Sequence, residues 1–163
     1  NVDVFENYVV WESYHDRWDV YSYDISKRKS WLVAGGSGNQ RMPMLSKRRG
    51  KYYVYYWSNG LGNDDIFYKE ISRNASSNDG VVITNETGFD EWNPVVDNFY
   101  GEKILWQSSK NGDSLIEGFW SGNYFEINSS SYDGMQQNVD VSGGLVAFVL
   151  IGDLKEEIWA GYC

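Results

Sequence analysis

One hairpin recurs along this chain, and that recurrence limits the possible fold more than any other property of the sequence. Residues Tyr8 to Ile25 read YVVWESYHDRWDVYSYDI: an apolar run to Trp11, a polar turn at Tyr14 to Arg17, then a second strand carrying Val20, Tyr21, Tyr23 and Ile25. Comparable apolar strands end at Trp57, Trp106 and Phe148, giving separations of 46, 49 and 42 residues. A period of roughly 40 to 50 residues is that of a four-stranded propeller blade.

The flanking segments keep step. Asp19 and Asp65 each follow a tryptophan by eight residues and open DVYSYDI and DIFYKEI. Upstream, NVDV at Asn1 to Val4 returns as NVDV at Asn138 to Val141, while MPML at Met42 to Leu45 and NPVVD at Asn93 to Asp97 occupy the same place in the middle units. Pro43 and Pro94 then fall at the start of a strand, where a missing backbone donor is tolerated. Fourth strands are expected at Trp31 to Ala34, Val81 to Thr84 and Tyr124 to Ile127, and no window of useful length has a helical period.

The second strands, YYVYYW at Tyr52 to Trp57, KILW at Lys103 to Trp106 and LVAFVLI at Leu145 to Ile151, are apolar on both faces. A sheet with one wet face would alternate, so these strands are covered on both sides, as in radially stacked blades. The expectation is one all-β domain over residues 1–163: a β-propeller or propeller segment of four antiparallel blade repeats at approximately 1–38, 39–88, 89–133 and 134–163. The last is incomplete, ending at its third strand.

These residues reach a family. VVWESYHDRWDVYSYDIS, preceded in later units by QRMP at Gln40 to Pro43 and EWNP at Glu91 to Pro94, resembles the TolB-like (WD-repeat-like) propeller repeat over essentially the whole chain. The resemblance implies a fold used as a protein-binding platform, as a periplasmic or cell-surface module, or as the accessory propeller of a larger peptidase. Such propellers usually have six or more blades, so the four units here imply a fragment, a small ring, or an arc completed by blades from the same precursor or another copy.

Charge and composition exclude other classes. Lys and Arg number 14 against 23 Asp and Glu, and a net charge of −9 disfavours nucleic acid and anionic lipid as partners. No apolar run is long enough for membrane insertion. The single cysteine, Cys163, excludes an internal disulfide, and its role stays open. The single histidine, His15, lies in a turn, and GGSGN at Gly35 to Asn39 lacks the closing glycine of a nucleophile elbow.

In an up-and-down blade, the loop entering strand one and the turn joining strands two and three share a face. That face gathers His15, Arg17, Trp18, Gln40, Arg41, Glu91, Trp92, Asn93, Gln136 and Gln137 as candidate binding residues. Trp18 and Trp92 are either stacking platforms there or packing between blades. Asp3, Asp97 and Asp140 recur on the innermost strand; turned into a channel they would hold calcium or act as a glycosidase carboxylate pair, and otherwise they cap turns. No other cofactor is implied. Sequons at Asn74, Asn85 and Asn128 lean the location outward. The leading expectation is a non-catalytic binding or scaffold module, secreted, periplasmic or cell-surface, recognising protein or carbohydrate; the alternatives are a glycan-processing enzyme and a peptidase's accessory propeller.

Overall fold

The computed structural model describes residues 1–72, 80–85, 87–98, 103–110, 114–127, 135–152 and 156–162. Among the described residues every element is a strand. The first sheet runs in chain order through β1 (Val2–Phe5), β2 (Tyr8–Tyr14), β3 (Trp18–Asp24) and β4 (Lys29–Ala34). The second holds β5 (Gln40–Arg48), β6 (Lys51–Ser58), β7 (Asp65–Glu70) and the short β8 (Val81–Val82). The third holds β9 (Glu91–Asp97), β10 (Lys103–Ser108), β11 (Leu115–Trp120) and β12 (Asn123–Ile127). Among the described residues the fourth has three strands, β13 (Met135–Ser142), β14 (Leu145–Ile151) and β15 (Glu156–Tyr162). All pairings are antiparallel between neighbours in sequence, and β1, β5, β9 and β13 lie beside one another as the innermost strands.

Both faces of the middle sheets are covered, as the unbroken apolar second strands require. Val10 and Val20 of blade 1 pack with Leu45, Val54, Tyr56 and Phe67 of blade 2. On the far side of blade 2, Tyr55 and Ile66 meet Val96, Ile104 and Trp106 of blade 3. Leu105 and Ile116 of blade 3 in turn meet Val141, Val146 and Phe148 of blade 4. Neighbouring residues on one strand therefore serve different seams, and each full burial of such a side chain stabilises by about 1.5–3 kcal/mol.

The innermost strands of blades 2, 3 and 4 each carry a bulge at the same place. The register slips between Arg41 and Met44, opposite Trp106 in blade 3, and between Gln137 and Asp140. Met42, Asn93 and Asn138 take φ of 52°, 53° and 52°, a left-handed conformation that asparagine tolerates and that is costly for methionine. Pro43 and Pro94 follow the bulged residue directly, so they sit inside β5 and β9 rather than at a strand start. The ladder is interrupted there and needs no donor from them.

The bulges also correct the alignment of the units. The residues facing them are Tyr56, Trp106 and Phe148, which are 0%, 1% and 7% exposed. Trp57 stands one residue further on, paired with Arg41, and matches Gln107 and Val149 rather than Trp106. Tryptophan identity misleads at this position because tyrosine fills the equivalent seam site in blade 2. β8 also ends earlier than the Val81 to Thr84 reading: the N–H groups of Ile83 and Thr84 both reach Ile66 O, at 2.7 and 3.4 Å.

Candidate functional site

Each bulge gives three consecutive residues three environments. Gln40, Glu91 and Gln136 come first and are buried, at 0%, 1% and 2% exposure. Gln40 Nε2 donates to Ser37 O at 2.9 Å, Glu91 accepts the Thr84 hydroxyl at 3.3 Å, and Gln136 Oε1 accepts Ile116 N–H at 2.9 Å. Their side chains tie loops to strands and so are withdrawn from any partner, a correction to their placement on a binding surface. Arg41, Trp92 and Gln137 come second and are half-buried. Met42, Asn93 and Asn138 come third and, with Asn1, Glu12, Met44 and Val139, line a cavity of about 490 Å³ where the inner strands meet.

The cavity lining is mixed: Met42, Met44, Pro94, Val95 and Val139 are apolar, and Asn1, Glu12, Asn93 and Asn138 are polar. Behind them, the buried Gln107 Oε1 accepts Asn93 Nδ2 at 2.6 Å and the Asn138 N–H at 3.3 Å, so one amide holds two successive bulges. Glu12 ties a bulge across the seam between blades 1 and 2: Oε2 accepts Met42 N–H at 2.8 Å, and Oε1 receives the Asn1 ammonium at 2.8 Å and the Arg41 guanidinium at 3.4 Å. Burial alone would push the Glu12 carboxyl up, but these donors together hold it below its usual value. An ionised carboxylate at the cavity edge is the result.

Beside the cavity lies an aromatic rim. The Arg41 guanidinium sits 4.7 Å from the Trp18 ring centroid and 5.7 Å from that of Trp57. Tyr14, 61% exposed, lies 5.4 Å from Trp18 with tilted rings. Trp18 is half-buried, with Arg41 of blade 2 over its ring and Tyr14 beside it. His15 and Arg17 are exposed in the adjoining turn, His15 edge-on to Tyr21 at 6.2 Å and Arg17 Nε 3.3 Å from Asp19 Oδ1. Trp57 was missed in the sequence because it reads as an ordinary strand aromatic, and only the pairing register brings it to Arg41; Tyr14, in the turn already expected on this face, pairs directly with Trp18.

Each of the three aspartates accepts backbone N–H groups. Asp3 Oδ2 accepts Leu45 N–H from the next blade at 2.7 Å. Asp97, 1% exposed, accepts the N–H groups of Gly143 at 3.2 Å and Gly144 at 2.6 Å from the β13–β14 turn. Asp140 is exposed and its Oδ1 accepts Val141 N–H at 2.8 Å. Among the described residues no three His, Cys, Asp or Glu side chains are placed to hold a metal ion. Asn85 is exposed, whereas Asn74, Asn128, Cys163 and the turn residues 111–113 and 153–155 lie outside the described residues.

A second acidic group sits in the loops above the blade 2 to blade 3 seam. Asp64 N–H donates to Asp90 Oδ1 at 3.2 Å, and Asp65 is fully buried. Burial, then the Asp90 and Asp65 charges, push the Asp64 carboxyl from 3.8 to about 6, against a lowering pull from Arg41.

The chain superposes on TolB from Acinetobacter baumannii with a TM-score of 0.67 and 16% identity, covering 96% of this chain and 38% of that one. A putative TolB from Agrobacterium tumefaciens gives 0.60 and 17% identity, over 96% and 55% of the two chains. This is a TolB-like propeller fold. A prolyl endopeptidase structure matches the TolB-like segment at a TM-score of 0.57 and 11% identity, covering 95% of this chain and 24% of that one. The chain thus spans about two fifths to just over half of the TolB structures it matches, and identities this low carry the fold alone. No protein-family model matches the sequence. No curated protein sequence matches it either.

Proposed function

We propose that this TolB-like segment is a non-catalytic binding module of an extracytoplasmic protein and holds a protein or glycan partner at the mouth where its inner strands converge. The observation that carries this reading is the cavity of about 490 Å³ lined by the three bulged residues Met42, Asn93 and Asn138. The same bulge recurs at all three positions, and bulges re-aim side chains and are over-represented beside functional sites. A lining that mixes apolar side chains with amides, beside the exposed Tyr14, suits a sugar ring or a peptide side chain. The exposed sequon at Asn85 and the fold's likeness to TolB support the extracytoplasmic placement.

A glycan array and an immobilised-protein pull-down from cell-envelope extract test the reading, each run with the parent chain and with the double variant Arg41→Ala/Trp92→Ala. The expected result is at least one specific ligand that the parent retains and the folded double variant loses. Undiminished binding of every ligand by the double variant contradicts the site.

A further inference from the structure

One row of side chains crosses each sheet at the level of the bulge, and blade 3 breaks its pattern. The row is Trp11, Tyr21 and Leu32 in blade 1, Tyr56, Phe67 and Val82 in blade 2, and Phe148 with Trp159 in blade 4. In blade 3 it is Trp106, Glu117 and Glu126. Directly paired residues share a sheet face, so both carboxylates stand on the side of blade 3 that Trp106 turns to blade 2. Charges thus replace two apolar residues of the row, a change that seam packing alone disfavours.

At this row the seam opens into a cavity of about 480 Å³, which blade 2 bounds with Ile83, Thr84 and Asn85. Trp106 lines it; the residue is 1% exposed, and its indole N–H has no hydrogen-bond partner among the described residues. A buried donor left unmet is costly, and an acceptor arriving in the cavity removes that cost. Tyr124 stands edge-on to Trp106 at 6.2 Å, and its hydroxyl donates to Ile83 O, closing one side.

The charge of the lining is unbalanced. Glu117, its side chain 16% exposed, receives Lys110 Nζ at 3.2 Å. Glu126 is exposed and unpaired among the described residues, while Glu91 accepts the Thr84 hydroxyl. Three carboxylates therefore share the cavity with one ammonium. No three His, Cys, Asp or Glu side chains among the described residues are placed to hold a metal ion, so the excess charge suits an organic cation.

We infer that this cavity is a second ligand site, taking a small protonated amine that also carries a hydroxyl or carbonyl oxygen. Glu117 and Glu126 hold the ammonium, and the oxygen accepts the Trp106 indole N–H. Charge-assisted hydrogen bonds and an aromatic wall both favour a cation there, and the volume is that of a small-molecule site. The site is separate from the mouth where the inner strands meet, since the two cavities share no lining residue.

Proton–nitrogen correlation spectra of the 163-residue chain, isotope-labelled at tryptophan, test it. The Trp106 indole signal is identified by its loss in Trp106→Phe, phenylalanine being the residue that blade 4 carries at this position. Glucosamine and glycinamide are the probes. Their N-acetyl forms, which keep the oxygens and lose the charge, are the controls. The expected result is a saturable shift of the Trp106 signal with at least one amine, absent with its N-acetyl form at the same concentration. Glu126→Gln, at an exposed site, should weaken that amine by about tenfold and leave the other indole signals in place. No Trp106 shift with either amine up to about 10 mM overturns the inference, as does an equal shift with the N-acetyl form or an affinity that Glu126→Gln leaves unchanged.

Discussion

Arg41 of blade 2 lies over the Trp18 ring of blade 1 at 4.7 Å, with its guanidinium 3.4 Å from Glu12 Oε1. One side chain thus joins the seam between the first two blades to the rim of the cavity. Loss of the cation–π contact and the partly shielded ion pair predicts that Arg41→Ala lowers stability by about 1–2 kcal/mol. Urea unfolding followed at tryptophan emission measures the loss, and the folded variant's emission should move to the red as Trp18 becomes wetter. Arg41→Lys should recover only a fraction of it, since the ammonium lacks the planar face.

Asp97 presents a different kind of seam bond. Its carboxylate receives two backbone N–H groups of the blade 4 turn and is almost wholly enclosed. Asp97→Ala strands both donors and is expected to cost about 2–4 kcal/mol, whereas Asp97→Asn keeps one acceptor and should cost about half as much. The urea midpoint separates the two variants.

The bulge can be tested at Asn138, whose φ is 52°. Asn138→Gly removes the steric penalty and should change stability by less than about 0.5 kcal/mol, while Asn138→Val places a β-branched side chain in left-handed backbone and should cost about 1–3 kcal/mol. Equal melting temperatures for the two variants would sink the bulge assignment.

Asp64 gives the pH dependence. Its folded value of about 6 exceeds 3.8, so between these limits the folded chain keeps a proton that the unfolded chain has released. Stability then falls as pH rises through that window and levels above it. Solvent screening of this half-buried site leaves an effect of about 1 kcal/mol. Asp64→Asn should be the more stable protein by about that amount at neutral pH and above, and indistinguishable from the parent below the window; thermal melts at both ends check it.

Much of the architecture was legible because seam burial writes a two-sided apolar strand into every unit, and Tyr52 to Trp57 or Leu145 to Ile151 read that way directly. The one-residue offset of Trp57 was not legible: it depends on an extra residue in the partner strand, and a bulge leaves no mark in the apolar pattern of the strand that faces it. For the same reason Gln40, Glu91 and Gln136 read as exposed loop residues. A polar side chain at a strand entry has one sequence signature whether it meets water or a buried backbone donor. Arg41 and Asn93 were reachable by strand order, whereas Met42, Asn138 and Glu12 needed the register between blades.

Hydroxyl-radical footprinting of the complex with the tightest ligand from the screen tests the binding account most directly. Protection is expected at Tyr14, Trp18 and Met42, around the cavity, with the β5–β6 hairpin at Arg48 to Lys51 on the opposite end unchanged. Protection confined to that hairpin, with Tyr14, Trp18 and Met42 oxidised as in the unbound chain, would contradict the account.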